Sequence, residues 1–225
     1  MEVELLEYTP RPDLLASVAA HSCHAKEGAS EVREEKSDEK LKNILRKTVE
    51  RGHTSVVEHA SFTFSVEGIS RACSHQLVRH RIASYSQQSQ RYVRPDEERY
   101  VIPPSVKRDS SALEKYKSAM KEAWEAYKGL IEEGVSREDS RFVLPNATET
   151  NIVVTMNARS LLNFFELRTC MHAQWEIRAV ANRMLKEVKE VAPTIFEDAG
   201  PPCKRRGVCP EDDSDCELYK KYISS

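Results

Sequence analysis

The stretch HASFTFSVEGISRACSHQLVRH, residues 59–80, sets the fold class. Its first half alternates Phe62, Phe64 and Val66 against Ser61, Thr63 and Ser65, the period-two pattern of a strand with one buried face. Then the period changes. Ser70 is placed to cap a helix running to about His80, and Ile69, Ala72, Cys73 and Leu77 collect on its apolar side. A strand that runs straight into a helix argues against an all-α or all-β chain.

Working outward, ETNIVVTMN at 149–157 is rich in β-branched residues and reads as a second strand. A short strand-like stretch opens the chain, followed by a helix LLASVAAHSCH after Pro12. The Glu- and Lys-dense segment from Glu27 to Arg46, with Leu41, Ile44 and Leu45 as its apolar stripe, reads as a solvated helix joined by a mobile loop. Residues 111–133 give a long amphipathic helix. Two more helices are expected over Ala158–Thr169 and Ala173–Val191, the second ended by Pro193. Between the helix that ends near His80 and the one that begins at 111 lies SYSQQSQRYVRPDEERYVIPP at 84–104, which has neither helical nor strand period and reads as one long loop. The expected architecture is α+β, a helix-rich single domain with a small antiparallel or mixed sheet that assembles as an oligomer. Its catalytic body would span residues 1–200, with a Cys- and Pro-rich tail over 201–225.

Composition narrows the function. With 34 basic and 36 acidic residues the net charge is −2, so the chain lacks the positive balance of a non-specific nucleic-acid binder, and any polyanion site is local. No apolar run reaches the ~18 residues of a membrane span, and MEVELLEYTP reads as neither signal peptide nor anchor, which points to a cytoplasmic protein with no membrane partner. Glycine numbers only 7 of 225 residues, well under the usual share of ~7%. Neither G-x-G-x-x-G nor G-x-x-x-x-G-K-[ST] can be written anywhere. A nucleotide held here must be gripped by side chains, arginine above all.

Those side chains concentrate in QLVRHRIASYSQQSQRY, residues 76–92. Arg79, His80, Arg81 and Arg91 donate to anions, while Ser84, Ser86, Gln87, Gln88, Ser89 and Gln90 offer neutral donors and acceptors. Gln76, Arg79 and His80 share a helical face. This mixture suits a phosphate joined to a heterocycle. The plain alternative is a solvated basic helix end, and a third reading makes Arg79–Arg91 the grip of a nucleic-acid-binding module.

Arg79-His80-Arg81, seven residues, then Ser89 is the R-H-R-x7-S signature of the flavin-dependent thymidylate synthases, which this chain resembles over nearly its whole length. GHTSVVEH at 52–59, RFVLP at 141–145, MNARSLLNFFELR at 156–168 and AQWEIR at 173–178 resemble further blocks of that family, in the same order. The resemblance implies reductive methylation of dUMP, with 5,10-methylenetetrahydrofolate as carbon donor and FAD, reduced by NADPH, as hydride source. It implies that Arg79, His80 and Arg81 line FAD with Ser55, Asn157, Ala158, Arg159 and Asn163. Gln76, Leu77, Val78 and Arg79 would hold dUMP on one side, and Gln87, Gln88, Ser89, Gln90 and Arg91 on the other, completed by Arg141 and Arg168. Arg168 is the position that would favour the ionised N3 of the pyrimidine and is the expected catalytic residue. Many members carry Asn and Glu where this chain has Ser86 and Gln87, so a general-base role cannot be transferred to Gln87.

On a helix at ~100° per residue, Arg159 and Asn163 lie about 40° apart, whereas Arg168 lies about 180° from Arg159. One ligand does not reach both faces, so sites shared between subunits are expected, in keeping with the homotetramer the resemblance implies. Alone, Arg168 would read as a cation favourable to a helix C-terminus. His53 and His59 do not fit H-E-x-x-H and read as a structural pair, and no metal is expected. Of six cysteines, Cys23, Cys73 and Cys170 each sit next to or one residue from a histidine, and buried structural thiols are the better reading. Cys203, Cys209 and Cys216 are spaced C-x5-C-x6-C, which leaves a disulfide, a metal knuckle or free thiols open.

Overall fold

A computed structural model describes residues 1–35, 37–92 and 98–224. The strands are β1 (Glu2–Tyr8), β2 (Ser61–Ser70), β3 (Ser84–Gln87) and β4 (Glu149–Asn157), arranged in one small antiparallel sheet of order β1-β2-β4-β3. The helices are α1 (Pro12–Ser22), α2 (Ala29–Glu35), α3 (Asp38–Glu50), α4 (Arg71–Leu77), α5 (Pro104–Lys107), α6 (Ser110–Glu132), α7 (Arg137–Ser140), α8 (Ala158–Arg168), α9 (Trp175–Val191), α10 (Pro202–Arg206) and α11 (Glu217–Tyr222). Short 3-10 helices cover Thr54–His59 and Arg141–Val143. The helix-rich α+β class and the small sheet are as expected, and β4 has the bounds read from its β-branched run. No described helix is long and apolar enough to cross a membrane.

The described residues gather into two compact units. The first comprises Met1–Glu2, Val66–Arg79 and Ser86–Ile152. Here Ser70 caps α4, its side chain accepting from the Cys73 amide at 3.0 Å, and Ile69, Cys73 and Leu77 are buried as the sequence pattern demands. The long helix α6 turns Met120, Trp124 and Tyr127 inward at i, i+4 and i+7. Asp109 caps it by accepting from the Ala112 amide.

The second unit comprises Val3–Ser65, His80–Tyr85 and Val153–Ser225. Phe62 and Phe64 of β2, Val154 and Met156 of β4, and the inner faces of α8 and α9 form its core. Phe196 closes that core, meeting Phe62 edge-on at 5.5 Å and Phe165 at 5.8 Å between ring centroids. The buried Asp13 carboxylate accepts from the amides of Thr194 and Ile195 at 2.8 and 3.0 Å, satisfying the backbone that follows α9.

Two expectations need correction. The Glu- and Lys-rich segment is two helices, α2 and α3, and Lys36 lies outside the described residues; Val32 and Leu41 join Leu14 and Val18 in one apolar cluster, so each short helix has its own anchor. The 84–104 segment is not all loop. It begins with β3, and its last residue, Pro104, opens α5, while residues 93–97 lie outside the described residues. Exposure does alternate along Ser84, Tyr85, Ser86 and Gln87, but the inward positions are a tyrosine and a glutamine, so hydropathy gave no period to read.

Candidate active site

In the second unit, α8 carries the densest set of expected site residues. Asn157 ends β4 and caps the helix, its side chain accepting from the Ser160 amide at 2.9 Å. The Ala158 amide donates to the Ala60 carbonyl at 2.8 Å and its side chain is fully buried, so neither its N–H nor its side chain is exposed to a ligand. Leu161, Leu162, Phe164 and Phe165 anchor the helix in the core, leaving Arg159 and Asn163 exposed on the opposite face. Arg159 forms an ion pair with Glu58, from the 3-10 turn that also presents the exposed Ser55.

Arg168, in the last turn of α8, points elsewhere, as the helical angle requires. Its Nε donates to His80 Nε2 at 3.1 Å. The His80 ring also packs edge-on against Phe164 at 4.9 Å between centroids, and the Tyr85 hydroxyl donates to the His80 carbonyl at 2.8 Å, so both the ring and the backbone of His80 are fixed. Burial, and then the Arg168 cation, push the His80 pKa down to about 4. Burial pushes the Tyr85 phenol up to about 12. At neutral pH, then, a neutral imidazole serves as acceptor for a permanently charged guanidinium. Arg81 and Ile82 follow as exposed residues, Ile82 at 76%.

The first unit holds the remaining predicted residues. Gln76 is half-buried at the end of α4, Leu77 fully buried, and Val78 and Arg79 exposed beyond it. Leu77 can therefore present only backbone to a substrate. The Gln87 amide nitrogen donates to Ser74 Oγ at 2.9 Å and to Thr150 Oγ1 at 3.2 Å, and the Gln88 amide donates to the Asn151 carbonyl. Ser89 Oγ accepts from the Arg91 amide at 3.2 Å. Arg91 and Arg141 meet on one residue that sequence reasoning missed: Glu138 receives Arg91 on its carboxylate at 3.0 Å and Arg141 Nε on its carbonyl at 3.1 Å.

A second missed residue is Arg71, the first residue of α4. Burial, and then the neighbouring Arg141 cation, lower its pKa. Two guanidinia held this close repel each other, and a dianionic phosphate relieves that repulsion while accepting from both. Arg71 directly follows the Ser70 cap in sequence, but nothing in the spacing tied it to Arg141.

The family described as thymidylate synthase complementing protein matches residues 4–194 of this chain. A flavin-dependent thymidylate synthase of Geobacter sulfurreducens is 55% identical over 218 residues, covering 96% of this chain and 94% of its own length. One from Clostridium tetani is 46% identical over 243 residues, covering 99% of this chain and 97% of its own length. Among solved structures, a UMP/dUMP methylase, PolB from Streptomyces cacaoi, bound with 5-Br dUMP, matches with a TM-score of 0.78 at 27% identity over 87% of this chain and 93% of that one.

Proposed function

This chain belongs to the thymidylate synthase complementing protein family, that of the flavin-dependent thymidylate synthases, and from that premise we infer how its own residues serve the reaction. The overall conversion is dUMP, 5,10-methylenetetrahydrofolate, NADPH and a proton to dTMP, tetrahydrofolate and NADP⁺. Carbon and hydride thus reach the pyrimidine from two different donors. The donor set suits FAD: in the second unit Arg81, Arg159, Asn163 and Ser55 are exposed cations and hydrogen-bonding groups of the kind a diphosphate and sugar require, with His80 and Asn157 beside them in sequence. FAD supplies the hydride when bound.

The remaining work falls to the polypeptide. Arg71 and Arg141, joined by Arg79 and Arg91, provide the cations for the dUMP phosphate, and Gln76, Gln88, Ser89 and Gln90 the neutral hydrogen bonds. Gln87 acts as a brace, because its amide is already spent on Ser74 and Thr150. Arg168 stabilises negative charge on the pyrimidine at N3, which makes C5 nucleophilic enough to take up the one-carbon unit.

The observation that carries this reading is the bond from Arg168 Nε to His80 Nε2. It fixes the guanidinium plane and reserves the two terminal nitrogens for a planar anion. The test is the purified full chain. It should carry flavin absorbance that NADPH bleaches, and it should release tritium from dUMP labelled at C5 when methylenetetrahydrofolate is supplied. A colourless protein that takes up no FAD overturns the reading. Arg168→Lys, which keeps the charge but loses the fork, should lower kcat by about 10²-fold or more while flavin content stays constant.

A further inference from the structure

The short helix α10 is held in place by three consecutive cations. Arg205 Nη1 donates to Glu166 of α8 at 2.8 Å, and Arg206 pairs with the other oxygen of the same carboxylate, whose side chain is only 8% exposed. Lys204 Nζ donates to the carbonyls of Glu197 and Ala199 at 3.2 and 3.3 Å. Its stem packs on Gly200, where a Cβ would come within 3.0 Å of Lys204 Cδ. The Lys204 ammonium is therefore fixed in position over the turn that joins α9 to α10.

A second ammonium meets it there. Lys189, in the last turn of α9, donates from Nζ to the same Glu197 carbonyl oxygen at 3.2 Å. One oxygen thus accepts from two lysines, and the two nitrogens lie within twice that distance of each other. The Glu197 carboxylate is engaged elsewhere, accepting from Arg46 Nε of α3 at 3.0 Å. Lys204 has two carbonyls to support its charge and Lys189 one, so Lys189 is the ammonium that gives up its proton more readily. Burial, and then the Lys204 cation, lower the Lys189 pKa, while Asp198, Glu197 and the dipole of the α9 C-terminus favour the charged form and are outweighed. Both lysines remain partly exposed, within reach of a small reagent. Neither has a role in the reaction above.

We propose that Lys189 is an acylation site, an amine that takes an acyl group from a small activated donor, an acyl phosphate or an acyl thioester. A neighbouring cation is one of the devices that turn a lysine into a nucleophile. The Lys189 ammonium releases a proton to water, and its lone pair attacks the acyl carbonyl carbon. The bond from that carbon to the phosphate oxygen or to sulfur breaks, and phosphate or thiolate leaves with the bonding pair. The nitrogen then sheds a second proton to water, leaving a neutral amide. Acylation removes one of the two like charges that share the Glu197 carbonyl, and Lys204 keeps its contacts without a repelling partner. The site stands apart from the enzymatic reading and does not depend on it.

The experiment incubates the full chain with acetyl phosphate, and in a parallel arm with acetyl-coenzyme A, at steps from about pH 7 to about pH 10, the range in which lysines begin to titrate. Initial rates of acetylation are read by peptide mapping, with fragmentation separating Lys189 from Lys186, the exposed lysine of the same helix that serves as reference. Lys189 should react several-fold faster than Lys186 near neutral pH, the ratio shrinking as pH rises and both amines lose their protons. Lys204→Gln should cut this advantage and move the Lys189 rate profile to higher pH, whereas Lys204→Arg, which keeps the cation, should retain both. Labelling by either donor upholds the site and identifies the donor. Labelling by neither, Lys189 reacting no faster than Lys186, preferential labelling of Lys204, or a Lys189 profile unmoved by Lys204→Gln would each overturn the proposal. The wild-type ratio needs no variant, so the test stands even where Lys204→Gln loosens α10.

Discussion

His80 shows how much one neutral acceptor can govern. Its pKa of about 4, against 6.5 in an unfolded chain, means that the unfolded state binds a proton first as the solution is acidified. Stability is therefore intact above pH 6.5 and is lost progressively as pH falls from 6.5 toward 4. The loss should stay under about 2 kcal/mol, because the ring is only partly buried. Urea midpoints measured across that window check the sign; a midpoint that rises on acidification contradicts it, as does an imidazole resonance of His80 titrating near 6.5. Gln87 makes a second test. Ser74 Oγ donates its hydrogen to the Arg71 carbonyl and accepts from Gln87, so a carboxylate there would face a lone pair. Gln87→Glu should destabilise by about 1 kcal/mol at neutral pH and recover toward pH 4, as chemical denaturation will show. Neither network was legible in sequence. The residue types were in view, but the direction of a hydroxyl and the spending of a guanidinium on an imidazole are tertiary facts.

At the scale of elements, legibility followed hydropathy. β4 was readable to the residue because its β-branched run is bounded by polar neighbours, and the switch from β2 to α4 was readable because Ser70 is both strand end and cap. β3 escaped because its inward side chains are Tyr85 and Gln87, and α10 escaped because a Pro- and Cys-rich stretch gives no apolar stripe. Its docking rests instead on a carboxylate, Glu166, buried on the inner side of α8. The same physics operates at Asp13, whose carboxylate holds two backbone amides beyond α9. Removing it strands two buried donors. Asp13→Ala should cost about 2–4 kcal/mol, and Asp13→Asn less, because its one side-chain oxygen still accepts from one amide. Thermal unfolding of the two variants separates them; equal losses would mean that packing around α1, and not the amides, sets the cost.

For the whole molecule, the proposed site residues raise the question of how one helix would serve two ligands. Arg159 and Asn163 stand exposed on α8 while Arg168 turns to His80 on another face, as the angle of about 180° required from sequence alone. A helix that offers one face to the flavin and another to the pyrimidine fits an assembly in which each site borrows residues from a neighbouring subunit. We therefore expect a homotetramer with shared sites. Two variants decide it. Arg168→Ala removes the pyrimidine cation and Arg159→Ala the flavin-side cation, and each homogeneous enzyme should lose at least about 10²-fold in kcat/KM. If sites are shared, a mixed tetramer contains some sites that draw an intact Arg159 from one chain and an intact Arg168 from the other. Co-expressing the two variants should then restore activity to roughly a quarter of wild type, the share set by random pairing at a site built from two chains. If every site is built within one chain, each carries one lesion or the other, and the mixture stays as inactive as its parents. Sedimentation of the mixture, performed alongside, confirms that the subunits have exchanged, so the absence of rescue in exchanged tetramers refutes shared sites.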